Sequence, residues 1–174
     1  LRTVGRIAFP IYCFLLVEGF LHTRDWRRYW LRMAAFALIS EIPFRLAVWN
    51  TWAGGSSNVY VELAIGLLVL RGLKQSEGLT QPRRAAGMAA VIGGGCLAAV
   101  FLKADYDMDG ILIISLFYLL REKRIVQVMS GGILSLLESW NMCYGAGILS
   151  AVPLYFYNGK KGQAPWLSLI HISE

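Results

Sequence analysis

Seven apolar runs, separated by short loops of which every second one is basic, leave this chain few folds to choose from. The runs cover roughly residues 5–22, 29–49, 58–73, 85–103, 108–120, 125–141 and 143–157. One set of loops carries Arg24, Arg27, Arg28 and Arg32, then Arg71, Lys74, Arg83 and Arg84, then Arg121, Lys123 and Arg124, then Lys160 and Lys161. The alternate set carries only Arg45 and Lys103, with Arg2 and Arg6 near the start. Thirteen of the 17 Lys and Arg therefore fall on one side of an alternating path. Chains threaded through a bilayer keep Lys and Arg in their cytoplasmic loops. The pattern predicts seven crossings, with the basic loops in the cytoplasm and Leu1 outside. Several runs are shorter than the ~20 residues that span a bilayer core. The run at 108–120 is the weakest and is expected to borrow length from its neighbours or to sit shielded inside the bundle.

Composition agrees. Of 174 residues, 56% are hydrophobic and only 16% charged, and the mean hydropathy is +0.51. A disordered chain is excluded, and a soluble domain would need polar helix faces that are scarce here. The net charge of +6 does not point to nucleic acid, because the cations sit in loops between apolar runs rather than in a patch. Cys13, Cys96 and Cys143 are far apart in apolar surroundings, which reads as packing rather than a disulfide framework or redox motif. Trp26, Trp30, Trp49, Trp52, Trp140 and Trp166 lie near run ends, where indole rings favour the bilayer interface. The run at 85–103 is rich in Gly and Ala, which let helices approach closely in lipid, and is expected in the middle of the bundle. No GxxxxGK or GxGxxG occurs. The whole of 1–174 reads as one integral membrane domain. Its start at Leu1 is read as internal, and 167–174 (LSLIHISE) as a tail that breaks the pattern, so His171 receives no role.

The ionisable residues inside or beside apolar runs carry the chemistry, since they are costly there and usually face a protein interior or a site. Glu18 and His22 are four residues apart and share a helix face. A carboxylate beside an imidazole fixes its tautomer and raises its basicity, which suits a general base. The alternative is an interfacial histidine with a structural partner. The arginines at 24, 27, 28 and 32 follow at once. Guanidinium groups bind phosphate bidentately, although topology and anionic lipid also account for them. Glu41 and Arg45 are an i, i+4 pair that reads as an intramembrane ion pair, which Glu62 is expected to join. Pro43 is expected to kink or end that helix. Asp105, Asp107, Asp109 and Gly110 imitate the start of a calcium loop, but position twelve is Leu116, and an outward acidic loop is expected. Glu138 and Asn141 read as packing polar groups. With only His22 and His171 as histidines and no HExxH, no metal set is expected.

The block GRIAFPIYCFLLVEGFLHTRDWRRYWLR…ALISEIPF resembles the TraX family. The resemblance continues through Asn58-Val59, Asp105-Tyr106 with Gly110, FYLLRE at 117–122, and Tyr157-Asn158-Gly159-Lys160-Lys161-Gly162, covering about residues 4–162. It implies an all-α polytopic transmembrane bundle, similar to the conjugative pilin acetylase and to wider groups of polytopic membrane acyltransferases. Members usually begin with an earlier helix bearing an Asp-His pair, which this chain lacks. The reaction implied is transfer of an acetyl group from acetyl-CoA to an acceptor protein, glycan or lipid, such as a pilin N-terminal amine, at the bacterial inner membrane. On that reading His22 is the base, oriented by Glu18, and Glu41 and Asp105 join the catalytic set. Arg24, Arg28, Arg32 and Arg121 hold the coenzyme A phosphates, and Arg6, Asn58, Tyr106 and Asn158 contact the acceptor, all around one polar cavity. The rivals are a small transporter or flippase and a non-enzymatic subunit of a pilus or envelope assembly.

Overall fold

The computed structural model describes residues 2–49, 57–143 and 149–156, with side chains described for 8–47, 57–123, 125–134, 136 and 149–156. Seven helices make up its regular structure: α1 (Arg2–His22), α2 (Trp26–Trp49), α3 (Val59–Ser76), α4 (Gln81–Phe101), α5 (Asp107–Leu119), α6 (Arg124–Cys143) and α7 (Ala151–Phe156). The first six apolar runs thus became helices with ends displaced by a few residues, whereas the described part of the seventh, expected over 143–157, is helical only over Ala151–Phe156.

Local chemistry sets several of the ends. Asp25 precedes α2 and accepts from the backbone N–H of Arg27 and Arg28, at 3.1 and 3.3 Å. Asn58 caps α3 through its side-chain oxygen, which accepts from Tyr60 and Val61 N–H at 2.8 and 3.3 Å. Pro82 lies in the first turn of α4, where a missing N–H costs nothing. Asp107 and Asp109 occupy the first turn of α5, complementing its dipole. Those acids therefore belong to a helix rather than a loop. Pro10 and Pro43 lie inside α1 and α2, and both helices continue through them. The expected break at Pro43 is absent; Ser40 Oγ, bonded to Phe36 and Ala37 carbonyls, sits in an unbroken α2.

Helices α3 and α5 form the centre. Helix α3 packs on α1, α2, α4 and α5, and α5 on α1, α3, α4 and α6. Both are buried around most of their circumference, with Leu70, Leu73, Ile111, Ile113, Ile114 and Phe117 fully enclosed. Helix α1 contributes a stripe at Phe9, Cys13, Leu16, Val17 and Phe20, the spacing of one helix face. Its Phe14 meets Phe117 edge-on, with centroids 5.8 Å apart, and Phe20 meets Tyr118 at 6.3 Å.

The short run at 108–120 is therefore the shielded one. At 13 residues, α5 is about 20 Å long by the rise of an α-helix. The small-residue run is peripheral, which corrects the expectation for it. Helix α4 touches only α3 and α5 among its close packings, and buries Gly95 and Ala99. An added Cβ at Gly95 would strike Val69, so that glycine is where α4 approaches α3; Gly93 and Gly94 face open space.

Large apolar side chains cover the outside. Leu31, Phe36, Leu38, Ile39, Ile42 and Leu46 project from α2, and Leu97, Val100 and Phe101 from α4. Among the described residues, one helix, α4, is long and apolar enough to cross a membrane, and the apolar segments Ala8–His22 and Ile125–Leu134 are shorter.

The loops sort to two ends. Arg71 lies over the Trp26 ring at 5.2 Å and Lys74 over Phe20 at 5.6 Å, so the 23–25 turn meets the C-terminal end of α3. The Arg121–Glu77 ion pair at 2.8 Å brings the 120–123 turn to the same place. At the far end, Ser57 N–H donates to the Lys103 carbonyl at 2.8 Å, and Ser57 Oγ to the Leu102 carbonyl at 2.9 Å. The three basic loops described share one end.

Candidate functional site

At the basic end, α1 terminates in His22. Its Nδ1 lies 2.9 Å from the Glu18 carbonyl and 3.5 Å from the Glu18 carboxylate. A carbonyl oxygen only accepts, so Nδ1 carries the hydrogen in the neutral ring and Nε2 keeps its lone pair. The His22 side chain is 77% exposed, and an exposed i, i+4 pair adds only about 0.3–0.5 kcal/mol of stability. The pair is too weak to hold the fold, and its imidazole lies open at this end of the bundle. Arg24, two residues on, and Arg27, Arg28 and Arg32 in the first two turns of α2 are all exposed. Arg28 pairs with Asp25 at 3.2 Å, and Asp25 also caps α2.

Arg121 is placed otherwise. It pairs with Glu77, donates to the Tyr118 carbonyl at 3.1 Å and lies over the Tyr118 ring at 4.3 Å. These contacts consume its guanidinium in fastening α3 to α5, so it does not join the arginines at 24, 28 and 32.

The opposite end holds a second polar assembly. Glu41 Oε1 accepts from Arg45 Nε at 2.7 Å, and its Oε2 from Asn58 N–H at 3.1 Å. Asn58 Nδ2 donates to the Ala37 carbonyl at 3.0 Å and to Ser40 Oγ at 2.9 Å. With its oxygen capping α3, Asn58 ties α2 to α3 while nearly fully buried. Glu41 and Asn58 are thus a helix-joining network. A hollow of about 180 Å³ beside it is lined by Glu41, Ile42, Arg45 and Leu46.

Glu62 does not join Glu41 and Arg45. It is fully buried, and its Oε2 accepts from Tyr106 N–H at 2.9 Å. Its Oε1 has no hydrogen-bond partner and abuts Gly110, where an added Cβ would meet both it and Phe9. Tyr106 stacks on Phe9 with centroids 3.5 Å apart and planes 6° from parallel. On the outer side of this stack is a cavity of about 220 Å³ lined by Ala8, Phe9, Tyr12, Val59, Tyr60, Leu63, Asp105 and Tyr106. Asp105 is exposed there and Tyr106 buried.

Phe9 and His22 are 13 residues apart on one helix, which is about 20 Å of rise. The single cavity expected from the sequence is therefore two regions. Glu18, His22, Arg24, Arg28 and Arg32 gather at one end. Glu41, Asn58, Asp105 and Tyr106 gather at the other. The Arg6 side chain and the whole of Asn158 lie outside the described residues, as do the side chains of Glu138 and Asn141.

The sequence marks Glu62, an acid inside an apolar run, but not its actual partners, and it does not mark the buried Gln127. Gln127, nearly fully buried, donates from Nε2 to the Phe117 carbonyl at 2.6 Å and pins α6 to the end of α5; its sequence neighbourhood gives no such sign.

A family model described as "TraX protein" matches residues 1–154. A probable fimbrial assembly protein, FimC of serogroup H1, from Dichelobacter nodosus is 28% identical, over 93% of this chain and 72% of that protein. No solved structure matches.

Proposed function

The chain belongs to the TraX family, and from that premise we propose that it is a multi-pass inner-membrane acetyltransferase, taking acetyl from acetyl-CoA on the cytoplasmic side. The observation that carries the reading is the exposed His22–Glu18 pair, with Nδ1 held at 2.9 Å by a carbonyl so that Nε2 keeps its lone pair, at the end of the bundle where Arg24 and Arg32 are exposed. In the reaction the acceptor nitrogen or oxygen attacks the thioester carbonyl and loses its proton to His22 Nε2. The carbon–sulfur bond then breaks, and the coenzyme A thiol leaves with that proton. Arg24 and Arg32 hold the donor's phosphates, with Arg28 contributing after release from Asp25. Arg121, spent on Glu77 and Tyr118, is not needed. Asp105 and Tyr106 contact a part of the acceptor remote from the reacting atom.

The bundle's outer surface supports the membrane setting. Leu38, Ile39, Leu97 and Phe101 point outward while Glu62 is enclosed, the reverse of what water favours. The three basic loops at one end support placing that end in the cytoplasm. The acceptor in this reading is a pilin-type N-terminal amine, or another protein, glycan or lipid at a pilus. A second reading, a non-catalytic subunit of fimbrial assembly, is favoured by the name of the Dichelobacter relative.

The two part on one measurement. Calorimetry of the detergent-purified protein should give saturable acetyl-CoA binding, and the Arg24→Ala/Arg32→Ala double variant should weaken it about tenfold, as loss of phosphate-binding charge predicts. His22→Ala should keep donor binding and membrane insertion and lose transfer of labelled acetyl. Absence of binding by a folded sample, or transfer retained by His22→Ala, sinks the enzyme reading and leaves the assembly subunit.

A further inference from the structure

Arg71 and Lys74 stand three residues apart towards the C-terminal end of α3, at the basic end of the bundle. We infer that they form a binding site for a phosphate group, held between a guanidinium fork and an ammonium. The site is separate from His22. Lys74 meets α1 at Phe20, and His22, two residues on, points about 200° around the helix from it. The inference therefore does not rest on acetyl transfer and would hold in a chain that transfers nothing.

The two cations have aromatic neighbours but no counter-ion. The Arg71 guanidinium lies over the Trp26 ring at 5.2 Å, and the Lys74 ammonium over the Phe20 ring at 5.6 Å. A ring face attracts a cation, yet it brings no net charge. Among the described residues neither cation makes an ion pair or a side-chain hydrogen bond. Arg71 Nε is enclosed without an acceptor, so the terminal nitrogens of the fork are the ones left to a ligand. The acids at this end are engaged elsewhere. Glu18 lies against His22, Asp25 pairs with Arg28 and caps α2, and Glu77 takes Arg121 and the Tyr118 hydroxyl. Glu122 is exposed between Arg121 and Lys123 in the chain.

Residues three apart on a helix are neighbours, and like charges so placed repel. An anion bridging them replaces that repulsion with attraction. Phosphate suits the pair better than carboxylate does. One guanidinium fork takes both oxygens of a carboxylate, whereas a phosphate has further oxygens for an ammonium. The platform is also set in advance. Trp30 Nε1 donates to the Ala64 carbonyl at 3.1 Å, which fixes α2 on α3 about one turn from Trp26 and two turns from Arg71. The Tyr29 ring lies against Gly19, with no space there for a methyl, and holds α2 on α1. Cations already seated on fixed rings lose less freedom on binding than unsupported ones.

Calorimetry on the full chain in an uncharged detergent tests the site. The titrants are sodium pyrophosphate and dioctanoyl phosphatidylglycerol, with sodium chloride at matched ionic strength and dioctanoylglycerol as controls. Saturable binding of at least one phosphate probe, and of neither control, is expected. Lys74→Gln, at an exposed position that leaves the fold intact, should weaken it several-fold, and Arg71→Gln/Lys74→Gln at least about tenfold. Arg83→Gln/Lys123→Gln removes the same charge from exposed positions at the same end and should change it less than about twofold. Preference for pyrophosphate identifies the occupant as a soluble phosphate, and preference for phosphatidylglycerol as a lipid headgroup; both support the site. Absence of saturable binding by both probes, equal losses in the two double variants, or binding indifferent to Lys74→Gln and Arg71→Gln/Lys74→Gln would overturn it. Acetyl-CoA takes no part in these titrations, so failure of acetyl transfer leaves the result standing.

Discussion

Both polar atoms of the Asn58 side chain are bonded. Its oxygen caps α3 and its amide holds the Ala37 carbonyl and Ser40 Oγ. Loss of the cap costs about 1 kcal/mol, and leaving buried partners unpaired costs about 1–3 kcal/mol more. Asn58→Ala should therefore lower the thermal midpoint in detergent substantially, whereas Arg24→Ala should leave it unmoved. Gly110 is the counterpart among small residues, because its Cα faces Glu62 and the Phe9 ring with no space for a methyl. Gly110→Ala should destabilise by about 1–3 kcal/mol through overpacking. A full wild-type melting temperature for that variant would show that the Glu62 corner yields freely. The spacing in the sequence paired Glu18 with His22 and Glu41 with Arg45 correctly, because i, i+4 contacts are fixed by helix geometry alone. It could not separate Glu62 from Glu41, since their positions on different helices depend on packing.

At the scale of elements, α4 and α5 exchanged the places the sequence suggested. Hydropathy ranks α4 as the best membrane helix and α5 as the weakest run. Length and composition, however, say only that a helix tolerates an apolar setting, not whether lipid or protein supplies it. A 13-residue helix fits when other helices surround it, as α1, α3, α4 and α6 surround α5. The glycines of α4 divide accordingly. Gly94 has nothing near it, and Gly95 meets Val69 and Ile111. Gly94→Ala should be neutral or stabilise by up to about 1 kcal/mol from helix propensity. Gly95→Ala should cost about 1–3 kcal/mol as Val69 is displaced. Equal effects in a denaturation series would contradict the placement of α4 against α3.

For the whole molecule, the testable property is sidedness. The turns at 23–25, 77–80 and 120–123 meet at one end through Arg71, Lys74 and Arg121, and Ser57 meets Lys103 at the other. In a chain with Cys13, Cys96 and Cys143 replaced by Ala, Gly78→Cys and Leu102→Cys should react with an impermeant thiol reagent from opposite sides of sealed vesicles. Gly78→Cys should label from the cytoplasmic side. Labelling of both from one side would rule out the alternating path and, with it, delivery of a cytoplasmic donor to His22.

The sequence alone determined the helices, the alternation of basic loops and the local pairs on one helix face. These follow from apolar run length, charge placement and the 3.6-residue repeat, none of which requires a partner. The tertiary structure decided which helices occupy the centre, and that Arg121 is bound by Glu77 while Asn58 joins two helices. It also decided that the polar residues form two regions about 20 Å apart along α1 rather than one cavity. Those outcomes depend on which side chains meet across helices distant in sequence. Apolar helices with small residues permit several such packings, and only close contacts such as Gly95 on Val69, Phe9 on Tyr106 and Glu62 on the Tyr106 N–H select one.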